Sequence, residues 1–250
     1  MAYLNNVRDG RQSKVYLLKH GTTPKTSLAT TDIGKLFCIT GKDSSSSAFG
    51  NLKVGDYFIC LDIGTGTPHV AAVPALGTND ELVAVTPQFL GGATDKDLNF
   101  EKSTVEITCD KDDAQNIVSN GVVVISGSIQ AYDLLQNGDT AANRIRKRFN
   151  KMVTMNKATG IPTAEELDRT EKDVLMFVWD ARELNEGEVI GIDIVPAFLS
   201  SQGHGSAYGS GQTFPVNFSG SDTDEQGHRR GYYQLDYFAE LGAEIDSWVA

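Results

Sequence analysis

Apolar and polar positions alternate with a period of two along much of this chain, most clearly in the stretch FEKSTVEITCDKDDAQNIVSNGVVVISGSIQAYDLL. Over residues 103–110, Val105, Ile107 and Cys109 fall on one face, and Thr104, Glu106, Thr108 and Asp110 on the other, the pattern of a strand with one wet side. After an acidic loop, residues 121–130 carry Val122, Val123, Val124 and Ile125 in a row, a run that predicts a strand needing cover on both faces. Ser126, Gly127 and Ser128 then break the run with small residues of the kind that mark a bulge or the close approach of another backbone. The two segments predict a large hairpin with carboxylates and hydroxyls on one face.

The same reading extends to the rest of the chain. Residues 13–20 and 35–40 predict short strands, separated by a Thr-rich loop over 22–32. Residues 42–50, with Ser44, Ser45, Ser46 and Ser47, offer little to bury and predict a mobile loop. A turn at Gly55 and Asp56 leads to a core strand over 57–61, and the turn GTGTP leads to a further strand over 69–76. Residues 77–97 combine turn formers with an apolar stretch over 82–85, which predicts a structured linker between a β-rich N-terminal region (1–95) and a core (96–250).

Residues 139–153 predict a helix: Asp139 or Thr140 can cap it, and Ala142, Ile145, Phe149, Met152 and Val153 recur at helical spacing. Thr163 and Glu166 fit a capping box and predict a second short helix to Arg169. Residues 173–181 and 187–199 predict the second strong strand pair, and the small, polar segment 200–212 between it and the strand at 213–221 predicts a flexible hairpin tip or an arm ordered by a partner. Residues 232–248 form an aromatic C-terminal segment. The fold class is mainly β with one flanking α-helix, an antiparallel sandwich or barrel.

Composition narrows the function. The 250 residues carry 33 Asp and Glu against 22 Lys and Arg, a formal charge of −11, which disfavours tight binding to a phosphate backbone. A uniformly acidic wall would instead keep DNA from adhering as it passed, because like charges repel over about 8 Å at physiological salt. Net negative charge that simply aids solubility is the plainer alternative. The basic cluster Arg144, Arg146, Lys147, Arg148 and Lys151 suits the helix C-terminus electrostatically. In so acidic a chain it fits pairing with acidic neighbours, including salt bridges between subunits, better than nucleic-acid contact.

No apolar run approaches a membrane span, and the N-terminus lacks a secretory pattern. Cys38, Cys60 and Cys109 stand singly, which predicts buried, reduced thiols. His20, His69, His204 and His228 share no metal-ligand spacing, the Asp110, Asp112, Asp113 segment lacks the glycine and terminal Glu of a calcium loop, and neither a nucleophile elbow nor a phosphate loop is present. The expectation is a non-enzymatic protein without metal or cofactor.

The order of these features, STVEITCD, a loop, VVISGS, a helix of the RIRKRF type, VLMFVWDA, GEVIGIDIVP, a Gly/Ser arm and FPVNFSGSD, resembles the tail tube (major tail) proteins of tailed bacteriophages over residues 97–237. The resemblance implies hexameric rings stacked into a tube that conducts DNA during ejection. Its partners would be copies of itself and other tail proteins (tape measure, terminator, baseplate, sheath), and its location the virion after synthesis in the host cytoplasm. On that reading Glu106, Thr108 and Asp110 are candidate lumen-lining residues. Gly203, His204, Gly205, Ser206, Tyr208, Gly209 and Gly211 form a candidate inter-ring arm, and the basic cluster a candidate intersubunit face. The alternatives are another phage structural part, such as a tail terminator, baseplate ring or decoration protein, or a β-sandwich carbohydrate-binding module or enzyme using Tyr208, Tyr232, Tyr233, Tyr237 and Trp248 as a platform.

Overall fold

The computed structural model describes residues 14–61, 73–91, 93–102, 105–107, 116–118, 123–132, 138–179, 189–206 and 208–236. Strand β1 (Lys14–Lys25) is followed by β2 (Leu36–Gly41), β3 (Tyr57–Ile59), β4 (Glu81–Phe89) and β5 (Ala93–Lys102). Then come β6 (Val105–Ile107), β7 (Asn116–Val118), β8 (Val123–Tyr132) and the helix α1 (Ala141–Phe149). The remaining strands are β9 (Met152–Met155), β10 (Pro162–Glu165), β11 (Asp173–Trp179), β12 (Val189–Gln202), β13 (Thr213–Gly220) and β14 (Gly231–Asp236). Among the described residues the fold is mainly β with one α-helix, as the periodicity predicts.

Ten strands form one antiparallel sheet in the order β3-β2-β4-β1-β11-β12-β13-β8-β5, with β14 also paired to β12; β9–β10 and β6–β7 are separate two-stranded ladders. The N-terminal strands therefore share a ladder with the rest of the chain, since β1 pairs with β4 on one edge and β11 on the other.

Strands β1 and β11 are the centre of the core because neither has a wet face along its apolar run. Tyr16 and Leu18 lie with Val174, Met176 and Val178 in one cluster, beside Leu36, Tyr57, Val85, Ile192 and Ile194. Val15 and Leu17 lie with Leu175 and Phe177 in the other, beneath Ala141, Ala142 and Ile145 of α1 and against Ile129, Phe214 and Phe218. Burying each such side chain is worth about 1.5–3 kcal/mol. On the first face the sheet closes on itself: Tyr57 of β3 meets Tyr233 of β14 edge-on, with centroids 6.2 Å apart, although the two strands are remote in strand order.

Several local expectations give way to long-range pairing. The doubly covered strand is not β8, where Ile125, Ile129 and Ala131 are buried but Val124 is 52% exposed, because one face of β8 is left open. Its small residues do mark a close approach: a Cβ on Gly127 would stand 2.3 Å from the Asp97 carbonyl and 2.4 Å from the Phe218 ring. Strand β8 pairs first with β5, whereas Val105–Ile107 pairs with Asn116–Val118. The predicted loop at 22–32 is strand to Lys25, after a register shift between His20 and Pro24. The apolar stretch over 82–85, expected within a structured linker, belongs to β4, which is paired on both edges.

The helix is shorter than residues 139–153. Thr140 caps it by accepting from the Asn143 amide, and the chain turns extended at Asn150, so that Met152 and Val153 pair with Glu165 and Ala164. The predicted helix at 163–169 is thereby replaced by β10, because Thr163 and Glu166 supply a cap spacing but no apolar helical face follows to bury.

The Ser-rich segment 42–50 is ordered rather than mobile. The wholly buried Asp80 carboxylate accepts from the Asp43 amide (2.7 Å), the Gly77 amide (2.7 Å) and the Ser46 hydroxyl, while Ala48 and Phe49 are buried against Phe37, Ile39 and Leu82. Burial pushes the Asp80 pKa up, but these donors outweigh it and hold the carboxyl below its ordinary value of 3.8. Asp80→Ala is expected to cost about 2–4 kcal/mol in urea unfolding, since it strands buried donors. In the parent protein the folded pKa is depressed, so this stabilisation is present above pH 3.8 and is lost as pH falls through the lowered value; the variant should lack that component of acid sensitivity.

Candidate functional site

Among the described residues, three features outside the apolar core carry side chains with chemistry. The first is the open face of the β5–β8–β13 end of the sheet. Alternation along β5 places Asp95, Asp97, Asn99 and Glu101 on that face, all exposed. Ladder pairing sets them beside the outward residues of the next strands: Asp95, Gln130 and Pro215 form one row, Asp97, Ser128 and Asn217 the next, and Asn99, Ser126 and Ser219 a third. Asn217 donates to the Ser201 hydroxyl at 2.7 Å, and Asn99 donates to Asp97 at 2.8 Å. The surface is thus acidic and hydroxylated, and none of these rows contains a lysine or arginine. The period-two alternation of Asp95, Asp97, Asn99 and Glu101 is its signal in the sequence, overlapped at its start by the turn formers of residues 77–97.

The second feature is the cationic side of α1. Arg148 is turned inward, with Nε and Nη2 donating to the two oxygens of buried Asp173 at 2.8 and 3.0 Å, and Nη1 donating to Glu171 at 3.0 Å. The carboxylate partners outweigh desolvation and raise the Arg148 pKa. Arg144 donates to the Leu18 carbonyl (3.3 Å) and Gln88 (3.2 Å) and lies 3.5 Å from Asp173. Lys147 pairs with Glu165, and Arg146 lies over the Phe214 ring at 5.0 Å. Lys151 is exposed. Much of the cluster's charge is therefore engaged within its own chain, along one wall of a cleft of about 1150 Å³ that also reaches His20 and His228.

The third feature lies at the base of that cleft. His20 of β1 and His228 of the β13–β14 loop stack face to face, centroids 3.7 Å apart and planes 8° apart. Asp224 fixes His228, accepting from its amide at 2.8 Å and facing its Nδ1 at 2.5 Å. The Tyr57 hydroxyl lies 2.8 Å from His20 Nε2, and Cys38 of β2 is wholly buried nearby. Burial, reinforced by His228, lowers the His20 pKa to about 3, so the ring is neutral. Burial, with Asp224 and Asp56, pushes the Cys38 thiol up to about 12. Burial would raise the Asp224 pKa, but its bonds to His228 prevail and lower it. One nitrogen of each ring and the Cys38 sulfur all lie within 4.8 Å of one another. Spacing along the chain gives no hint of this grouping, which exists only because β1, β2 and the loop meet.

Of the other expected site residues, Glu106 belongs to the short ladder β6–β7, opposite Ile117, while Thr108 and Asp110 lie outside the described residues. The arm is the tip of the β12–β13 hairpin. Gly205 and Thr213 exchange backbone bonds of 3.1 and 2.7 Å at its base, His204 lies 5.8 Å from the Phe214 ring, and Tyr208 is fully exposed. Cys38 and Cys60 are wholly buried, whereas Cys109 lies outside the described residues. Among the described residues no helix is long and apolar enough to cross a membrane.

No family model and no curated protein matches the chain. Among solved structures it is similar to a chain in the virion of a native gene transfer agent particle, with TM-score 0.37 and 11% identity over 55% of this chain and 86% of that one. It is also similar to a chain in the tail of an empty gene transfer agent particle computed with helical refinement in C6 symmetry, with TM-score 0.37 and 11% identity over 56% and 84% of the two chains.

The ion pair beneath α1 yields a direct test. Arg148→Ala leaves the Asp173 carboxylate buried without its bidentate partner and is expected to cost about 3–5 kcal/mol in urea unfolding. The exposed Lys151→Ala should stay within about 0.5 kcal/mol of the parent.

Proposed function

We propose that this chain is a structural component of a phage-like tail, and within that class a tail tube subunit whose copies form stacked hexameric rings around a DNA conduit. The observation that carries the reading is the open, acidic and hydroxylated face of β5, β8 and β13, backed by a helix-covered core. Such a wall offers DNA no cation with which to displace counterions, and its carboxylates repel phosphate within a Debye length. The conduit lining is assigned to Asp95, Asp97 and Glu101 with Ser126, Ser128, Gln130 and Asn217; Glu106, Thr108 and Asp110 are proposed to continue it.

Assembly on this reading uses elements the subunit leaves unfinished. Strands β3 and β5 end the sheet path among the described residues, and a terminal strand presents backbone groups to which another chain can add. The β9–β10 hairpin holds Val153, Met155 and Ile161 at 57–65% exposure, apolar surface that a neighbouring copy would cover. The β12–β13 tip, with its exposed Tyr208, is the proposed inter-ring arm. Other tail proteins would cap the tube or occupy it, and DNA would pass through without stable binding.

Negative-stain microscopy of the purified protein tests the reading: tubes of indefinite length are expected, and a monomer at high concentration would refute it. Deleting residues 203–211 should leave a folded, soluble subunit that no longer polymerises, whereas long tubes from that deletion would rule out the arm. Replacing Asp95, Asp97 and Glu101 together by Lys should leave tube formation intact while making the tubes retain added DNA at low salt.

A further inference from the structure

We propose that His20, Cys38 and His228 bind one transition-metal ion of borderline softness, for which Zn²⁺ has the fitting ligand chemistry. Imidazole nitrogen and thiolate sulfur are both ordinary zinc ligands, and here the donor atoms lie within 4.8 Å of one another before any ion draws them in. Tetrahedral zinc holds nitrogen at about 2.0–2.1 Å and sulfur at about 2.3 Å, which sets neighbouring donors about 3.3–3.8 Å apart. Closing the set around an ion needs the donor atoms to draw in by about an ångström and the stacked imidazoles, now 8° from parallel, to turn apart so that both in-plane lone pairs meet at one point; these are side-chain rotations, with no rearrangement of the sheet.

The surroundings are built as outer partners of a metal site are. Asp224, 2.5 Å from His228 Nδ1, is placed to take that nitrogen as a donor and so turn Nε2 toward an ion, the arrangement that orients a ligating imidazole. Tyr57 holds the second ring through its 2.8 Å contact with His20 Nε2. On binding, the Cys38 proton leaves to solvent, and the dication is balanced by the thiolate and the Asp224 carboxylate, so that the occupied site carries no net charge. His20 and His228 line the 1150 Å³ cleft, which supplies an entry path and leaves the fourth position to water. The ion would tie together β1, β2 and the β13–β14 loop, a staple independent of whether the subunit assembles into tubes.

The test uses the full chain, stripped with a chelator and titrated with Zn²⁺ or Co²⁺. One ion per chain is expected, with Co²⁺ giving a sulfur-to-metal charge-transfer band and tetrahedral d–d bands. Zn²⁺ at a hundredfold excess over Kd should raise the unfolding midpoint by about 5–10 °C. Cys38→Ser should remove the charge-transfer band and His228→Gln the stoichiometric binding, while Asp224→Asn should weaken binding about 10- to 100-fold, each variant checked for folding by circular dichroism. Failure of the parent protein to bind Zn²⁺, a Co²⁺ complex without a thiolate band, or binding and band retained in Cys38→Ser and His228→Gln would overturn the assignment.

Discussion

Two neighbouring strands that lack a solvated face along their apolar runs impose the architecture. Val15–Leu18 of β1 and Val174–Val178 of β11 bury every side chain, alternate residues going to opposite clusters, so the sheet has to be covered twice. One cover is made by the sheet's own continuation through β4, β2 and β3, closed against β14 at Tyr57 and Tyr233. The other comes from α1 and the inner faces of β8 and β13. Both covers are recruited from distant parts of the chain, so β11 is buried by packing against the N-terminal strands on one side and against α1, β8 and β13 on the other.

Docking of the helix then dictates where charge can go. Ala141, Ala142 and Ile145 face the core, and Arg148 from the following turn reaches the carboxylate at the first residue of β11. A bidentate guanidinium–carboxylate pair tolerates little misorientation, so it selects the rotation of the helix on the sheet more than it adds stability. With these cations engaged inward, the acidic residues of β5 remain outside without nearby positive counterparts in their rows. An acidic sheet face and a basic helix are two consequences of one arrangement.

Polar interiors occur where loops cross the rims of the core. Asp80 gathers amide and hydroxyl donors from segment 42–50, and Asp224 gathers its own loop and His228. In both cases a buried carboxylate stands in for an apolar anchor and holds a loop in place, in the first case a loop whose composition alone suggests mobility. The second case also carries the stacked imidazoles to the thiol of β2, which gives a loop of ordinary turn residues a chemical identity.

Local pattern alone determines the mainly β class, most of the strands, a helix cap at Asp139 or Thr140 and the small residues at the crowded 127 position, because each depends on side-chain alternation or on contacts of a few residues. Tertiary structure decided which apolar run is buried twice, since 122–125 and 174–178 look alike until their neighbours are known. It also decided that Thr163 continues a hairpin instead of starting a helix, because pairing with β9 satisfies the same backbone groups a cap would. The acidic face and the meeting of His20, Cys38 and His228 belong to the same category: both arise from register between strands far apart in the chain, and register is a property of the folded sheet that no single segment encodes.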